Sequence, residues 1–298
     1  MSGFSAIDLT KIAAPKIVET LDFEQVLTDL TDDLKKRDET LTDLLESDPV
    51  MKILEVVAYR EILLRARIND AAKSVMLAYA TDSDLEHLAV LFGVERQLIE
   101  AGDDSVDPPK PPRYEDDERL RKRTQLSLEG YSTAGPVGSY IYHSLAASPL
   151  VKDVDVANPE PGVVEVTILS TQDHGWPDSQ LMDAVRSRLN HKTIRPLTDR
   201  VSVSKPKLIR YTVTAHLILF EGPDAEVVRQ TAIEKATDYV NANHLLGNDI
   251  TLSGLYAALH QAGVQRVSLI SPLNNIIVSA DSAAWCENLT VEVGANHE

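Results

Sequence analysis

The stretch VMKILEVVAYREILLRARINDAAKSVMLAYA, residues 50 to 80, determines the architecture of the N-terminal part of the chain. No glycine or proline interrupts it, so it predicts one helix about 45 Å long at 1.5 Å per residue. Its apolar residues include a near-heptad stripe of Val50, Leu54, Val57, Leu64, Ile68, Ala71 and Val75. Other faces are apolar too, for example at Ile53, Val56 and Leu63. A helix that is apolar on several sides needs more than one neighbour, so another chain is expected to cover part of it.

The flanking residues are also predicted to be helical. Apolar residues after Phe23 recur at spacings of three and four, and this pattern continues to Leu45. A Ser-Asp-Pro sequence ending at Pro49 marks a helix stop and restart. Ser83 to Glu86 has the spacing of a capping box and begins a short helix that ends near Gly93. Residues 1–100 are therefore predicted to form a helical bundle arm.

A proline-rich segment follows the helical arm. Residues 101–113, AGDDSVDPPKPPR, contain four prolines and no apolar periodicity. Proline favours extended, stiff and solvent-facing chain. The segment predicts a linker over residues 101–114 and a domain boundary.

Beyond the linker the pattern is that of alternating helices and strands. Residues 115–205 are predicted to form one α+β domain, with strands around Val164 and Val201 and a helix from about Asp178 to Asn190. Residues 206–298 are predicted to form a C-terminal α+β domain, whose first strand has apolar side chains at odd positions from 209 to 219. The fold class is thus multidomain α+β, with a long-helix region followed by two small domains that have mixed or antiparallel sheets.

The two small domains also have similar patterns. With a shift of 113 residues and no gap, Val151 falls on Val264, and Val163 and Val164 fall on Ile276 and Ile277. Each set follows a predicted helix. The sequence therefore favours two related α+β units.

Composition excludes several classes of function. The 298 residues include 29 Lys and Arg against 46 Asp and Glu, a net charge of −17. Nucleic-acid phosphates and anionic lipids both require clustered basic residues, so neither is an expected partner. No apolar run approaches the ~20 residues that span a bilayer. The single cysteine, Cys286, excludes an intramolecular disulfide and a cysteine-based zinc site, and fits a reducing compartment.

No catalytic motif is present. The eight histidines include no H-E-x-x-H pair, and neither a phosphate loop nor G-x-S-x-G occurs. The nearest approach to a catalytic cluster is Asp173-His174-Gly175, which a turn explains equally well. We expect no catalytic, cofactor-binding or metal-binding residues. A small hydrolase using Asp173 and His174 stays an alternative, as does a soluble cytoplasmic adaptor or scaffold outside any particle.

A set of short runs makes the interpretation more specific. They are LLESDP (44–49), LEVVAYRE (54–61), NDAA (69–72), VMLAYA (75–80), FGVER (92–96), LEGYSTAGP (128–136), RPLTDRV (195–201) and GPDAE (222–226). None of these runs is specific alone, but as a set they resemble the baseplate assembly protein J family, and the resemblance extends from about residue 13 to 293.

The resemblance implies a non-enzymatic structural role. Members of this family are wedge components in the baseplates of contractile-tailed phages and R-type bacteriocins. The resemblance implies that two copies join one smaller partner of the tail protein I type in each wedge, and that neighbouring wedges close a ring around the hub. It also implies transmission of sheath contraction, indirect contact with sheath and hub proteins, and assembly in the bacterial cytoplasm. The sequence does not separate a phage from a bacteriocin.

Two sets of interface residues are expected on this basis. The shared helical bundle would use Val50, Leu54, Val57, Leu64, Ile68 and Val75. The ring contact would lie in residues 206–298 and use Tyr256, Leu259 and Val264.

Overall fold

The chain forms two compact units in a computed structural model, which describes residues 7, 9–13, 15–38, 40–41, 44–132, 134–222 and 224–294. A helical unit contains Ile7–Arg96 together with Asp116–Thr124. An α+β unit contains residues 97–115 and the chain from Gln125 onward. The ends of the predicted arm and of the C-terminal domain, residues 1–6 and 295–298, lie outside the described residues.

The helical unit is built on two paired helices, α1 (Phe23–Arg37) and α2 (Pro49–Ser74), followed by α3 (Asp82–Val90). The Asp22 carboxylate caps α1 by accepting from the Gln25 backbone N–H at 3.2 Å. α1 packs against α2, and Val26 and Ala58 are buried. The two predicted helices therefore exist, but both are shorter than the apolar pattern indicates.

The predicted continuous helix to Ala80 is wrong in its last turn. α2 ends at Ser74, where the hydroxyl donates to the Ala71 carbonyl at 3.1 Å. A serine hydroxyl that bonds the preceding turn competes with the backbone ladder and favours a helix end. Residues 75–79 then form turns, in which the Tyr79 N–H donates to the Met76 carbonyl at 2.9 Å.

The predicted extended linker is a hairpin. Strand β1 (Leu98–Glu100) pairs antiparallel with β2 (Arg113–Tyr114). Asp103 and Lys110 exchange two backbone hydrogen bonds of 2.9 Å farther along the same hairpin. The four prolines fall between or beside these pairs, where no backbone N–H is needed, so they shape the loop without keeping the segment extended.

The basic run after the hairpin has a structural role that its sequence does not reveal. The run, Arg119 to Arg123, lies on α4 (Asp117–Leu126), and the acidic residues directly before it in the sequence predict a salt-bridged helix. Arg121 does pair with Glu118, but its guanidinium is buried and also donates to the carbonyls of Leu77 (2.7 Å) and Ala80 (2.6 Å). These bonds satisfy carbonyls in the turns after α2.

The first α+β domain has two helices and a three-stranded sheet. Its elements are α5 (Val137–Ala147), β3 (Val151–Glu160), β4 (Val163–Ser170), α6 (Ser179–Leu189) and β5 (Arg200–Ser204). The sheet order is β3-β4-β5, with β3 antiparallel and β5 parallel to the central strand. Val154, Ile168, Leu181 and Val185 are among the residues of its core.

The C-terminal domain likewise has two helices and a three-stranded sheet. Its elements are β6 (Lys207–Leu219), α7 (Ala225–Ala242), α8 (Leu252–Leu259), β7 (Val264–Ser271) and β8 (Ser282–Val293). The sheet order is β7-β6-β8, with β7 antiparallel and β8 parallel to β6. Tyr211, Val213, Ala215, Leu217 and Leu219 of β6 are buried, as the alternation predicts. These mixed sheets confirm the α+β fold class.

The predicted gap-free repeat holds only in part. The shift of 113 residues superposes α5 on α8 and β3 on β7, but it places Val163 and Val164 of β4 on Ile276 and Ile277, which lie outside any strand. The central strand follows the α5–β3 pair in the first domain, whereas it precedes the α8–β7 pair in the second. The two domains thus share a layout with a different order of segments.

Candidate functional site

The outward face of α2 carries an apolar stripe that the described residues leave uncovered. Its members, here called the α2 stripe, are Ile53, Val56, Val57, Leu63, Leu64, Ile68 and Val75, each between 43% and 68% exposed. All but Val75 lie on α2, and Val75 is the residue that caps its C-terminal end. Their spacing keeps them on one side of the helix over roughly 33 Å. Monomeric proteins rarely leave such a continuous apolar surface in water, so the stripe is a candidate interface.

The opposite face of α2 is occupied within the chain. Ala58 and Asn69 are buried there. The Asn69 amide donates to the Glu19 carbonyl at 2.9 Å, while its side-chain oxygen accepts from the Glu19 N–H at 3.0 Å. Arg65 pairs with both Glu61 (2.6 Å) and Glu19 (3.1 Å), which raises the pKa of its guanidinium. These contacts fix the rotation of α2, so the stripe is presented outward in one orientation.

Four of the six residues predicted for the helical bundle lie in the exposed stripe, and the other two are half-buried. Val57, Leu64, Ile68 and Val75 lie in the α2 stripe, and Val50 and Leu54 are half-buried. Ile53, Val56 and Leu63 lie beside them on the same face. The expectation that these three lie on other faces is wrong, because the near-heptad pattern follows a period of 3.5 and describes a narrow seam, whereas a straight helix turns every 3.6 residues and presents a wider face.

The residues predicted for the ring contact do not lie on one surface. Leu259 and Val264 are 0% and 2% exposed and pack in the core of the C-terminal domain beside Ala215 and Leu217. Their side chains are therefore not available to another chain. Tyr256, on α8, is 40% exposed and is the one member of this set that reaches the surface.

Other apolar side chains of the C-terminal domain are exposed and were not among the predicted contact residues. Ile270 lies on β7, at one edge of the sheet in the described chain, and Leu273 and Ile277 lie in the loop that follows. An edge strand presents unpaired backbone groups that can accept another strand. The sequence named Ile277 only as the repeat counterpart of Val164, and it gave no signal for Leu273, because a single apolar residue in a loop has no period. Ile270 lies on β7, where the sequence does not show that its side chain is left exposed.

The two residues of the alternative hydrolase prediction lie on an exposed turn. Asp173 and His174 are exposed on a turn between β4 and α6, and the His174 ring contacts Trp285 at 4.6 Å between centroids. Neither residue lines either of the two cavities described for the chain, of about 450 and 510 Å³. The described residues contain no group of three His, Cys, Asp or Glu side chains arranged to hold a metal ion.

Two further observations concern the free cysteine and the length of the helices. Cys286 is a free, half-buried thiol, and burial raises its pKa, which lowers its reactivity. Among the helices described, none is long and apolar enough to cross a bilayer.

Comparison with known proteins assigns all three regions of the chain to one family. Residues 46–103 match the baseplate J-like N-terminal domain, residues 132–205 the baseplate J-like central domain, and residues 211–292 the baseplate J-like protein C-terminal domain. The chain is also 40% identical to baseplate protein J of Escherichia phage P2 over 301 aligned residues, which cover 98% of this chain and 99% of the phage protein.

Proposed function

This chain belongs to the baseplate J-like protein family, and from that premise we propose that it is a structural, non-enzymatic component of a phage tail baseplate. The observation that carries the proposal is the α2 stripe, an uncovered apolar surface of a kind that assembly components bury against other chains. The acidic net charge of −17 fits a protein that meets other proteins.

The finer proposal is that the protein forms part of a baseplate wedge. The α2 stripe would pack in a helical bundle with a second copy of the chain and with a smaller partner of the tail protein I type. Two neighbouring helices are needed because the stripe is wider than the a and d seam of a two-stranded coiled coil. Each exposed side chain of the stripe would contribute roughly 1–2 kcal/mol on burial, before the cost of association.

A separate contact would link neighbouring wedges into a ring around the hub and carry the movement of sheath contraction. We propose the C-terminal domain for this contact. Tyr256 and the exposed apolar residues on and after β7 support this choice, and the edge of β7 offers backbone groups for pairing. Sheath and hub proteins would then be indirect partners.

The decisive experiment is mass spectrometry of purified tail particles from the producing bacterium. The proposal expects the protein in intact particles, at a fixed ratio to the other baseplate components. A protein recovered only from the soluble lysate, never with particles, would favour the cytoplasmic adaptor and contradict the baseplate role. DNA in the same particles would separate a phage from a bacteriocin.

A further inference from the structure

Trp285 lies between two histidines where the two small domains of the α+β unit meet. Its ring is 4.6 Å from that of His174 and 5.0 Å from that of His244, in tilted and edge-on arrangements. His174 belongs to the turn between β4 and α6 of the first domain. Trp285 lies on β8, and His244 follows α7, so both belong to the C-terminal domain. We call this set of contacts the histidine joint.

The hydrogen bonds of His244 define its protonation state. Its Nδ1 lies 2.7 Å from the Ala284 carbonyl oxygen, and because that oxygen can only accept, Nδ1 carries the proton. Nε2 is then the unprotonated nitrogen. It is buried and accepts no hydrogen bond, although the His174 backbone lies near enough to bond the ring, and the residue as a whole is 4% exposed.

Gly175 makes the close approach of the two domains possible. Its φ of +99° lies in the left-handed region, and the preceding residues Asp173 and His174 also have positive φ. A Cβ on Gly175 would lie 2.9 Å from His244 Nε2 and 2.6 Å from Leu169 Cδ1. Only glycine leaves space for the imidazole against this backbone.

Charged groups around the joint favour neutral His244. Lys152 on β3 and His174 on the turn face it, and Asp153, also on β3, accepts from the Leu246 N–H at 3.1 Å across the joint. Strand β8 contributes the Ala284 carbonyl and the Trp285 ring to the surroundings of His244. Burial and then the Lys152 charge lower the pKa of His244, and burial lowers the pKa of Lys152.

We propose that the histidine joint is a pH-sensitive latch, in which neutral His244 holds the C-terminal domain against the 173–175 turn and a proton on Nε2 releases it. Protonation places a cation in this buried site beside Lys152, and the cost of burying that charge outweighs the bond that the protonated ring can donate to the His174 backbone. Opening hydrates the imidazolium, so acid shifts the population toward the open joint. The latch concerns the link between domains within this chain and does not depend on the proposed baseplate role.

The direction of the effect follows from proton linkage. Because the open state binds the proton more tightly than the closed state, the closed joint is fully stable above about pH 6.5 and weakens below it. As the pH falls, the equilibrium constant for opening of the joint rises by up to about tenfold per pH unit, until the pH reaches the pKa of His244 in the closed joint.

The test is hydrogen exchange of the full chain at pH 7.5 and 5.5, corrected for the intrinsic pH dependence of exchange. The probe is the Leu246 amide, which bonds Asp153 across the joint. Exchange of this amide is expected to rise by up to about tenfold in the wild type, because the opening equilibrium changes mainly over the one pH unit below 6.5. His244→Asn keeps a donor near the Nδ1 position but cannot be protonated, so its Leu246 amide should show no such rise. An equal rise in both proteins would overturn the proposal.

A matched control uses His143, another histidine whose pKa is lowered by burial. His143 lies in the first domain and contacts the Gly130 carbonyl, away from the joint, so His143→Asn should leave the pH response of Leu246 unchanged. Loss of the response in this variant would contradict the assignment to His244.

A second measurement covers the case in which His244→Asn does not fold. Imidazole nitrogen NMR of the wild type is expected to show one histidine protonated on Nδ1 that titrates below pH 6.5. If no histidine shows this tautomer and midpoint, the latch is excluded.

Discussion

Arg96 and Asp117 form an ion pair of 2.6 Å between Nη2 and Oδ1, joining the residues just after α3 to the first residue of α4. Arg96 also pairs with Glu86. The whole β1–β2 hairpin lies between Arg96 and Asp117 in sequence, yet both residues belong to the helical unit. The Asp117 carboxylate also accepts from the Asp82 N–H at the start of α3 (3.0 Å), and these contacts lower its pKa against the opposing effect of burial. α4 is thus an integral helix of the N-terminal unit.

The contacts of α4 predict that Arg121 stabilises the helical unit. Arg121→Ala should lower the free energy of unfolding by about 2–4 kcal/mol, because it removes the guanidinium that donates to the buried carbonyl of Ala80 and to the half-buried carbonyl of Leu77. Urea denaturation followed by circular dichroism measures this loss. Arg67→Ala, at an exposed position on α2, is the control and should change stability by less than about 0.5 kcal/mol. Equal effects of the two variants would contradict the assignment.

The α2 stripe predicts separate effects on folding and on assembly. Leu64→Asp and Ile68→Asp should leave the isolated chain folded, since both side chains are at least 60% exposed, and should prevent wedge formation by placing an unpaired charge in the bundle. Co-purification with the tail protein I-type partner and native mass spectrometry measure assembly. Val227→Asp adds the same charge at an exposed apolar position on α7 and should assemble normally. Wild-type yields of wedge from the stripe variants would exclude the bundle.

The C-terminal domain predicts a defect at a later stage. Tyr256→Asp combined with Ile270→Asp should leave wedges intact and prevent their closure into rings, because both side chains are exposed outside the domain core. Electron microscopy of assembly reactions distinguishes single wedges from rings. Leu64→Asp is the reciprocal control, since it should stop assembly before wedges form. Closed rings from the double variant would show that the contact between wedges does not use these two residues.

A surface ion pair beside β6 predicts a pH-dependent contribution to stability. Lys207 Nζ lies 2.7 Å from Asp281 Oδ2, and this bond, together with the Ser279 hydroxyl, lowers the pKa of Asp281 to about 2. Stabilisation by a carboxylate with a lowered pKa is present above its unfolded value of 3.8 and is lost as the pH falls toward 2. Asp281→Asn should therefore lower the thermal midpoint at pH 7, modestly because solvent screens the pair. The difference from the wild type should vanish near pH 2, and a difference that persists there would show another cause.

Several elements followed directly from local patterns in the sequence. The alternation from Ile209 to Leu219 predicted β6 because side chains of a strand point to opposite faces in turn. The helix predicted from about Asp178 was confirmed as α6, and the Asp178 carboxylate caps it by accepting from the Leu181 N–H at 2.7 Å. Such features depend on residues a few positions apart, which a sequence displays.

The sequence by itself determined the long amphipathic α2, the α+β class and the family to which the chain belongs, since periodicity and short runs are local. Only the tertiary structure decided which residues meet across long separations. It buried Leu259 and Val264, turned the proline-rich segment into a hairpin, and placed Arg121 on the carbonyls of Leu77 and Ala80. It also brought His244, Gly175 and Trp285 together. Contacts between distant residues depend on how whole elements pack, and no local pattern encodes that packing.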